Sequence, residues 1–256
     1  MTKTNTIFLY NDNIGAVSLV DHMGTDLSVV NAARVSFGVE KAEFDKKDAQ
    51  LIRYLAKHHH TSPFEHVVAT FKFTVPLFVR SQHHRHRTFS FNEISRRYTA
   101  DNLQFYLPSE FRTQHENNRQ ASNDTDLINP IMSRYHEGHP PDGLSAVPGE
   151  EYGWYEDITA SDLMIEHAQK SIEFFDWLIM KGVAREQARM VLPQNLYTEY
   201  YGTVDLHNLV KFINLRSHEG AQWEIRKVAD AVLTLASELW PISIKAFKEV
   251  GSLSDG

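Results

Sequence analysis

An α+β fold, one domain with a mainly antiparallel sheet flanked by long helices, is the expectation for this 256-residue chain, and three observations predict it. Residues 67–75 alternate strictly, with Ala69, Phe71, Phe73 and Val75 on one face and Thr70, Lys72 and Thr74 on the other, which is the period of a half-buried strand. The segments 161–181 and 222 onward space their apolar residues by three and four, the period of helices that bury one stripe. No repeat or linker divides the chain, and 42% hydrophobic content can build a substantial core.

Taken in order, residues 6–21 read as a short hairpin or strand pair, and 26–34 as a helix through Leu27, Val30 and Ala33. A helix over 45–58 carries Leu51, Ile52 and Leu55 on one stripe. The strand at 67–75 ends at Pro76, whose fixed φ suits the first turn of a helix running to about His84. From 112 to about 158 the chain turns polar and rich in Gly and Pro with no sustained period, which predicts a long, partly mobile excursion: a lid, an oligomer contact or an insertion. Ser161 is the expected cap of a helix to Lys181 with Met164, Ala168, Ile172, Phe175 and Ile179 on one stripe, stopped by Gly182. A shorter helix over 185–191 precedes Pro193, and 195–204 is aromatic and β-branched enough for a strand. Asp205 then caps a helix to about Arg216, with Leu206, Leu209, Phe212 and Ile213 inward. The last helix, from Gln222, has a seam of Ile225, Val228, Val232, Leu235, Leu239, Ile242 and Ala246 that Pro241 kinks.

Composition excludes some chemistry outright. With no cysteine there are no disulfides, thiolate metal sites, iron–sulfur clusters or cysteine nucleophiles. A net charge of -7 argues against broad attraction to nucleic acid or anionic membrane, so neither is an expected partner. The N-terminus lacks an apolar signal core and no stretch approaches the roughly 18 apolar residues of a membrane span, which predicts a cytoplasmic protein.

Against that acidic background, Arg80, Arg85, Arg87, Arg96 and Arg97 crowd into residues 80–98 with only Glu93 opposing them, a local net charge of +4. His83, His84 and His86 lie within it. Such self-repulsion is relieved by a bound anion, although a solvated helix face produces the same pattern. From Arg85 to Tyr98, guanidinium forks suit phosphate, hydroxyls and an amide complete oxygen coordination, and Glu93 can accept from a ribose hydroxyl or a base N–H. A nucleotide is the natural ligand class. Three readings remain open on these residues: a nucleotide-dependent enzyme, a non-catalytic nucleotide- or nucleic-acid-binding module, and a histidine-dependent metal hydrolase. The run His58-His59-His60 is a poor metal site because consecutive helical residues point apart, and no metal is expected. His58 and His59 suit the negative end of a helix dipole instead.

Arg85-His86-Arg87, seven residues, Ser95 and then Arg97-Tyr98 resemble the signature of flavin-dependent thymidylate synthases. Five further segments resemble that family in the same order: Ala32-Ala33-Arg34-Val35-Ser36, His60 to His66, Arg189 to Thr198, Asn214-Leu215-Arg216, and Ala221-Gln222-Trp223-Glu224-Ile225. Together they span roughly residues 16–248. The resemblance implies conversion of dUMP to dTMP with 5,10-methylenetetrahydrofolate as methylene donor, NADPH as reductant and FAD as cofactor, in a homotetramer with FAD between subunits. It also fits a chain without a cysteine nucleophile, since the flavin carries the redox chemistry.

Matched position by position, the resemblance implies that Gln82, Arg85, Glu93, Ser95, Arg97 and Arg189 bind dUMP, with His83, His84, Ile94 and Arg96 in the same backbone stretches. It implies FAD contacts at Ser36, His60, Arg85, His86, Arg87, Glu93, Asp205, Leu206, His207 and Lys211. Arg216 matches an arginine acting on the pyrimidine edge, where a fixed cation favours an ionised or enolate-like uracil, and is the expected catalytic residue. Ser95 lacks an adjacent base and is expected to bind rather than attack. Trp223 and Tyr98 are expected as packing groups. Relatives often carry Asn and Arg where Asp205 and His207 stand, and His where Gly220 stands.

Overall fold

The computed structural model describes residues 5–95, 102–118, 121–139 and 153–253. In chain order the elements are β1 (Thr6–Phe8), β2 (Ala16–Met23), α1 (Asp26–Arg34), α2 (Lys46–Lys57), β3 (Val68–Pro76), α3 (Leu77–His83), β4 (Ser90–Glu93), β5 (Phe111–Gln114), β6 (Ser122–Ile128), β7 (Ile131–Glu137), β8 (Gly153–Thr159), α4 (Ala160–Met180), α5 (Arg185–Ala188), β9 (Tyr197–Asp205), α6 (Leu206–Arg216), α7 (Trp223–Leu239) and α8 (Pro241–Glu249). They form two compact units, one of residues 1–95, 116–121 and 194–256, the other of 96–115 and 122–193. Among the described residues no helix is long and apolar enough to cross a membrane.

The first unit is an antiparallel sheet ordered β1-β2-β3-β9-β4 with helices on one face, the α+β architecture that the strand and helix periods predict. Its central pair, β3 and β9, runs from Val68 opposite Asp205 to Pro76 opposite Tyr197. The alternation in β3 holds: Ala69, Phe71, Phe73 and Val75 are fully buried. On the outer face, Lys72 pairs with Glu199 at 2.9 Å and Thr70 bonds Thr203 at 2.8 Å across the strands. Each buried large apolar side chain contributes about 1.5–3 kcal/mol, so this face and the seams of α6 and α7 hold the sheet to its helices. Gly202 keeps β9 close beneath the aromatic cluster, because a Cβ there would lie 2.9 Å from a Phe73 ring carbon.

Asp205 caps α6 as its position implies, accepting from Asn208 N at 2.9 Å. Pro76 differs from expectation: it ends β3 and stands just before α3 as its N-cap. The last expected helix is also two helices rather than one kinked one. Pro241 opens α8, and Trp240 adopts φ -132 and ψ 63 between the two, since a proline disfavours helical backbone in the residue before it. A tertiary cap secures the break. Asp26 of α1 is buried and accepts from Ile242 N at 3.0 Å and from Ser243 N at 2.9 Å and Oγ at 2.6 Å.

The second unit shows strands within the 112–158 excursion, for which no element was expected. Among its described residues β5 pairs with β6 and β7 with β8 in two antiparallel ribbons, while 119–120 and 140–152 lie outside the described residues. These strands escaped notice because they bury almost nothing: no residue of β6 or β7 is buried, so no apolar alternation marks them. Thr159, not Ser161, caps α4, accepting from Asp162 N at 3.2 Å, while Ser161 Oγ accepts from Asn129 at 2.8 Å. Lys181 and Gly182 end α4 as expected, with Gly182 at φ +84. Arg185–Ala188 continues into a single 3-10 turn, Arg189–Val191.

Candidate active site

The basic segment is held by an aromatic cluster in the first unit. His83, at the end of α3, is fully buried with its ring edge-on to Phe73, Phe89 and Phe91 at 4.6, 4.8 and 5.1 Å. Its Nδ1 lies 2.8 Å from the Tyr200 hydroxyl. Burial pushes the His83 pKa well down and the Tyr200 pKa well up, so both are neutral. The His83 side chain therefore belongs to the core, leaving only its main chain for a ligand. With Phe89 and Phe91 stacked 5.5 Å apart beside it, the turn between α3 and β4 is pinned from below, and Arg85 and Arg87 project outward.

Arg216, in the last turn of α6, reaches that turn. Its Nε donates to His86 Nε2 at 3.0 Å and one terminal nitrogen donates to the Gln82 carbonyl at 3.3 Å. An imidazole nitrogen that accepts carries no proton, so His86 is the neutral tautomer protonated at Nδ1. Burial, and then the Arg216 charge, bring the His86 pKa down from 6.5 to about 4. Burial and the neighbouring Arg85 likewise lower the Arg216 pKa. The result is an oriented cation with one terminal nitrogen unbonded among the described residues.

Glu93 on β4 receives Arg80 as a fork, at 3.0 Å from Nε and 2.9 Å from a terminal nitrogen, and the Thr198 hydroxyl at 2.7 Å. Arg80 is thus neutralised internally, whereas Arg85 and Arg87 are exposed and form no ion pair among the described residues. His84 stacks on Phe91 at 4.1 Å, and burial followed by Arg80 lowers its pKa. Gln82 bonds Gln222, which in turn donates to Glu224 at 2.9 Å. Beside these groups, Lys72, Asn92, Glu93, Ile94, Glu199 and Tyr201 line an open cleft of about 360 Å³.

The remaining expected residues are distributed more widely. Ile94 is partly exposed and anchored through its N–H to the Glu199 carbonyl at 2.9 Å, and Ser95 is half-buried. Arg96, Arg97 and Tyr98 lie outside the described residues. Ser36 is exposed in the 3-10 turn after α1, and His60 is exposed beyond α2 with its ring edge-on to Tyr54 at 5.9 Å. Both Asp205 oxygens are engaged by Asn208, Leu206 is fully buried, His207 is half-buried and Lys211 is exposed. Burial and then Lys211 lower the His207 pKa. Arg189 is exposed and belongs to the second unit. Arg80, Thr198 and Tyr200 were missed as site components, although Arg80 lies in the basic segment and Thr198 closes the RMVLPQNLYT block. Trp223 packs on Tyr10 at 6.1 Å with Lys227 over its ring, the packing role expected of it.

An antiparallel sheet bordered by open guanidiniums, beside a half-buried carboxylate held by hydrogen bonds, defines an α+β protein whose exposed groups suit an anionic polar ligand. The family model described as thymidylate synthase complementing protein matches residues 18–242. A flavin-dependent thymidylate synthase of Thermus thermophilus is 44% identical over 235 residues, covering 92% of this chain and 76% of the relative. That of Thermotoga neapolitana is 38% identical over 234 residues, covering 91% and 90%. Among solved structures, a UMP/dUMP methylase, PolB from Streptomyces cacaoi bound with 5-Br dUMP, superposes with a TM-score of 0.70 at 31% identity, covering 97% of this chain and 100% of that one. The chain belongs to the flavin-dependent thymidylate synthase family.

Proposed function

We propose that this enzyme converts dUMP to dTMP, taking a methylene from 5,10-methylenetetrahydrofolate and reducing equivalents from NADPH, with FAD as its flavin. We further propose that the chain acts as one catalytic domain within a homotetramer whose subunits share each cofactor. The observation that carries the reading is Arg216 held by a neutral His86 and the Gln82 carbonyl with part of its fork unspent. A charge already oriented before substrate arrives costs no reorganisation during reaction, and placed at a uracil carbonyl it favours the enolate-like ring that attacks an electrophilic carbon. Arg216 is accordingly assigned as the catalytic residue. His86 keeps the guanidinium plane in place by accepting from it.

Gln82, Arg85, Glu93, Ser95, Arg97 and Arg189 are assigned to dUMP. Glu93 retains lone pairs beyond those used by Arg80 and Thr198 for a sugar hydroxyl or base N–H. His83, His84, Ile94 and Arg96 contribute through their main chain. The donor set also fits a flavin dinucleotide: Arg85 and Arg87, exposed and without ion pairs among the described residues, suit a pyrophosphate, and Lys211 adds a third cation. Ser36, His60, His86, Glu93 and the Asp205-Leu206-His207 turn complete the assigned FAD contacts, Leu206 through its backbone because its side chain is core. Bound there, the flavin supplies the hydride that a cysteine-free thymidylate synthase needs.

An absorption spectrum of the purified protein tests this directly. A flavin band perturbed by added dUMP, and dTMP formed from dUMP, methylenetetrahydrofolate and NADPH, is the expected result. A protein that takes up no flavin and forms no dTMP overturns it.

A further inference from the structure

The Ala221-Gln222-Trp223-Glu224-Ile225 block has no role in the assignments above, yet two of its side chains are wired to one of the nucleotide-binding residues. Gln222 is the N-cap of α7, where its carbonyl accepts from Ile225 N and Arg226 N at 3.1 Å each, so its side chain leaves from a fixed point. Glu224, two residues on, is 3% exposed in the first turn of the same helix, a position where the helix dipole favours a carboxylate. Its main-chain carbonyl accepts from the Tyr10 hydroxyl at 3.1 Å, which anchors the residue at a second point.

The chemistry of the three groups sets a direction. A carboxylate accepts and does not donate, so the amide nitrogen of Gln222, 2.9 Å from Glu224, must face it. The Gln222 carbonyl oxygen is then turned to Gln82, and only the Gln82 amide nitrogen can meet it. That leaves the Gln82 carbonyl oxygen and its second amide hydrogen for a ligand. Without Glu224 at the far end, both carboxamides could turn over together and keep their mutual bond. The same Gln82 offers its main-chain carbonyl to Arg216, so the relay ends on the residue that also steadies the catalytic guanidinium.

We propose that Gln222 and Glu224 are positioning residues: a buried carboxylate orients two carboxamides in series so that Gln82 meets the nucleotide in one fixed sense. The proposal rests on the dUMP assignment made above. Its benefit is preorganisation, since a side-chain amide already turned correctly gives up less freedom when the nucleotide binds.

The test is a double-mutant cycle on the flavin-loaded, full-length protein, reading dUMP affinity by calorimetry and KM and kcat by turnover. Gln222→Leu and, as a variant of similar volume that removes the acceptor, Glu224→Leu are each expected to weaken dUMP binding about tenfold, which is about 1.4 kcal/mol and the size of one well-made hydrogen bond. The loss should fall on KM more than on kcat. In a Gln82→Ala background neither substitution should weaken binding further, because the relay then has nothing to orient. Additive losses in that background, or dUMP affinity unchanged by both single substitutions, overturn the relay while leaving the activity standing. Failure of the unsubstituted protein to bind dUMP sinks the assigned activity itself, and the relay with it.

Discussion

Acidification should break the contact between Arg216 and His86, and the structure sets how much that costs. The His86 pKa is about 4 in the folded chain against an ordinary 6.5. Above the ordinary value the imidazole is neutral whether folded or not, and the stabilisation is complete. As pH falls from about 6.5 to about 4, the unfolded chain takes up a proton that folded His86 refuses, so stability declines across that window and levels off below it. At full strength the difference is worth about 3 kcal/mol; because His86 is only half-buried, screening by solvent reduces this to about 2 kcal/mol. His86→Gln separates this contribution from the carboxylates that also titrate there: a glutamine carbonyl can accept from Arg216 but does not titrate. Urea unfolding at fixed protein concentration, run between pH 4 and 7, should show the unsubstituted protein losing about 2 kcal/mol more than His86→Gln. In parallel, the His86 ring resonances should titrate well below 6.5. Arg216→Ala should raise that value only part of the way to 6.5, since burial is the larger cause. Parallel stability curves for the two proteins, or a His86 that titrates near 6.5, would refute the account of an imidazole held neutral as an acceptor.

Arg216→Ala should retain flavin, judged by its visible spectrum, and lose turnover by roughly 10²–10³, the range for removing one preorganised charge-stabilising donor; near-normal turnover would remove it from the catalytic role. Tyr200→Phe strips the Nδ1 partner from a fully buried His83 and should cost about 1–3 kcal/mol in chemical unfolding without altering the exposed arginines. Asp26→Ala uncaps α8 and leaves two backbone donors and the Ser243 hydroxyl without their acceptor, with an expected loss of about 2 kcal/mol readable as a lower melting temperature. Asp205→Asn should preserve stability because asparagine caps as well as aspartate, whereas Asp205→Ala should cost about 1 kcal/mol.

The alternation at 67–75 was legible because a strand with one wet face repeats every second residue, and Asp205 was legible as a cap because capping is settled within four residues of chain. The ribbon strands were not legible, since strands that bury nothing leave no periodic trace. The caps at Thr159 and Asp26 show two different limits. Ser161 is the expected cap, but Thr159, two residues earlier, is an equally good capping residue, and only the tertiary bond between Asn129 and Ser161 decides between them. Asp26 lies 216 residues before Ile242, whose backbone N–H it accepts from, and no local pattern could connect them.

Sequence alone determined the antiparallel α+β architecture, the missing thiol and the concentration of arginine and histidine at 80–98, because each follows from composition or from a period shorter than one element. Tertiary structure decided which of those charges are spent and which are open: Arg80 is consumed by Glu93, His83 by the core, and Arg216 is steadied by a histidine 130 residues away. Residue types state what a side chain can donate or accept. Only folding, by bringing distant segments within about 3 Å and excluding water from some of them, settles which of those capacities remain for a ligand.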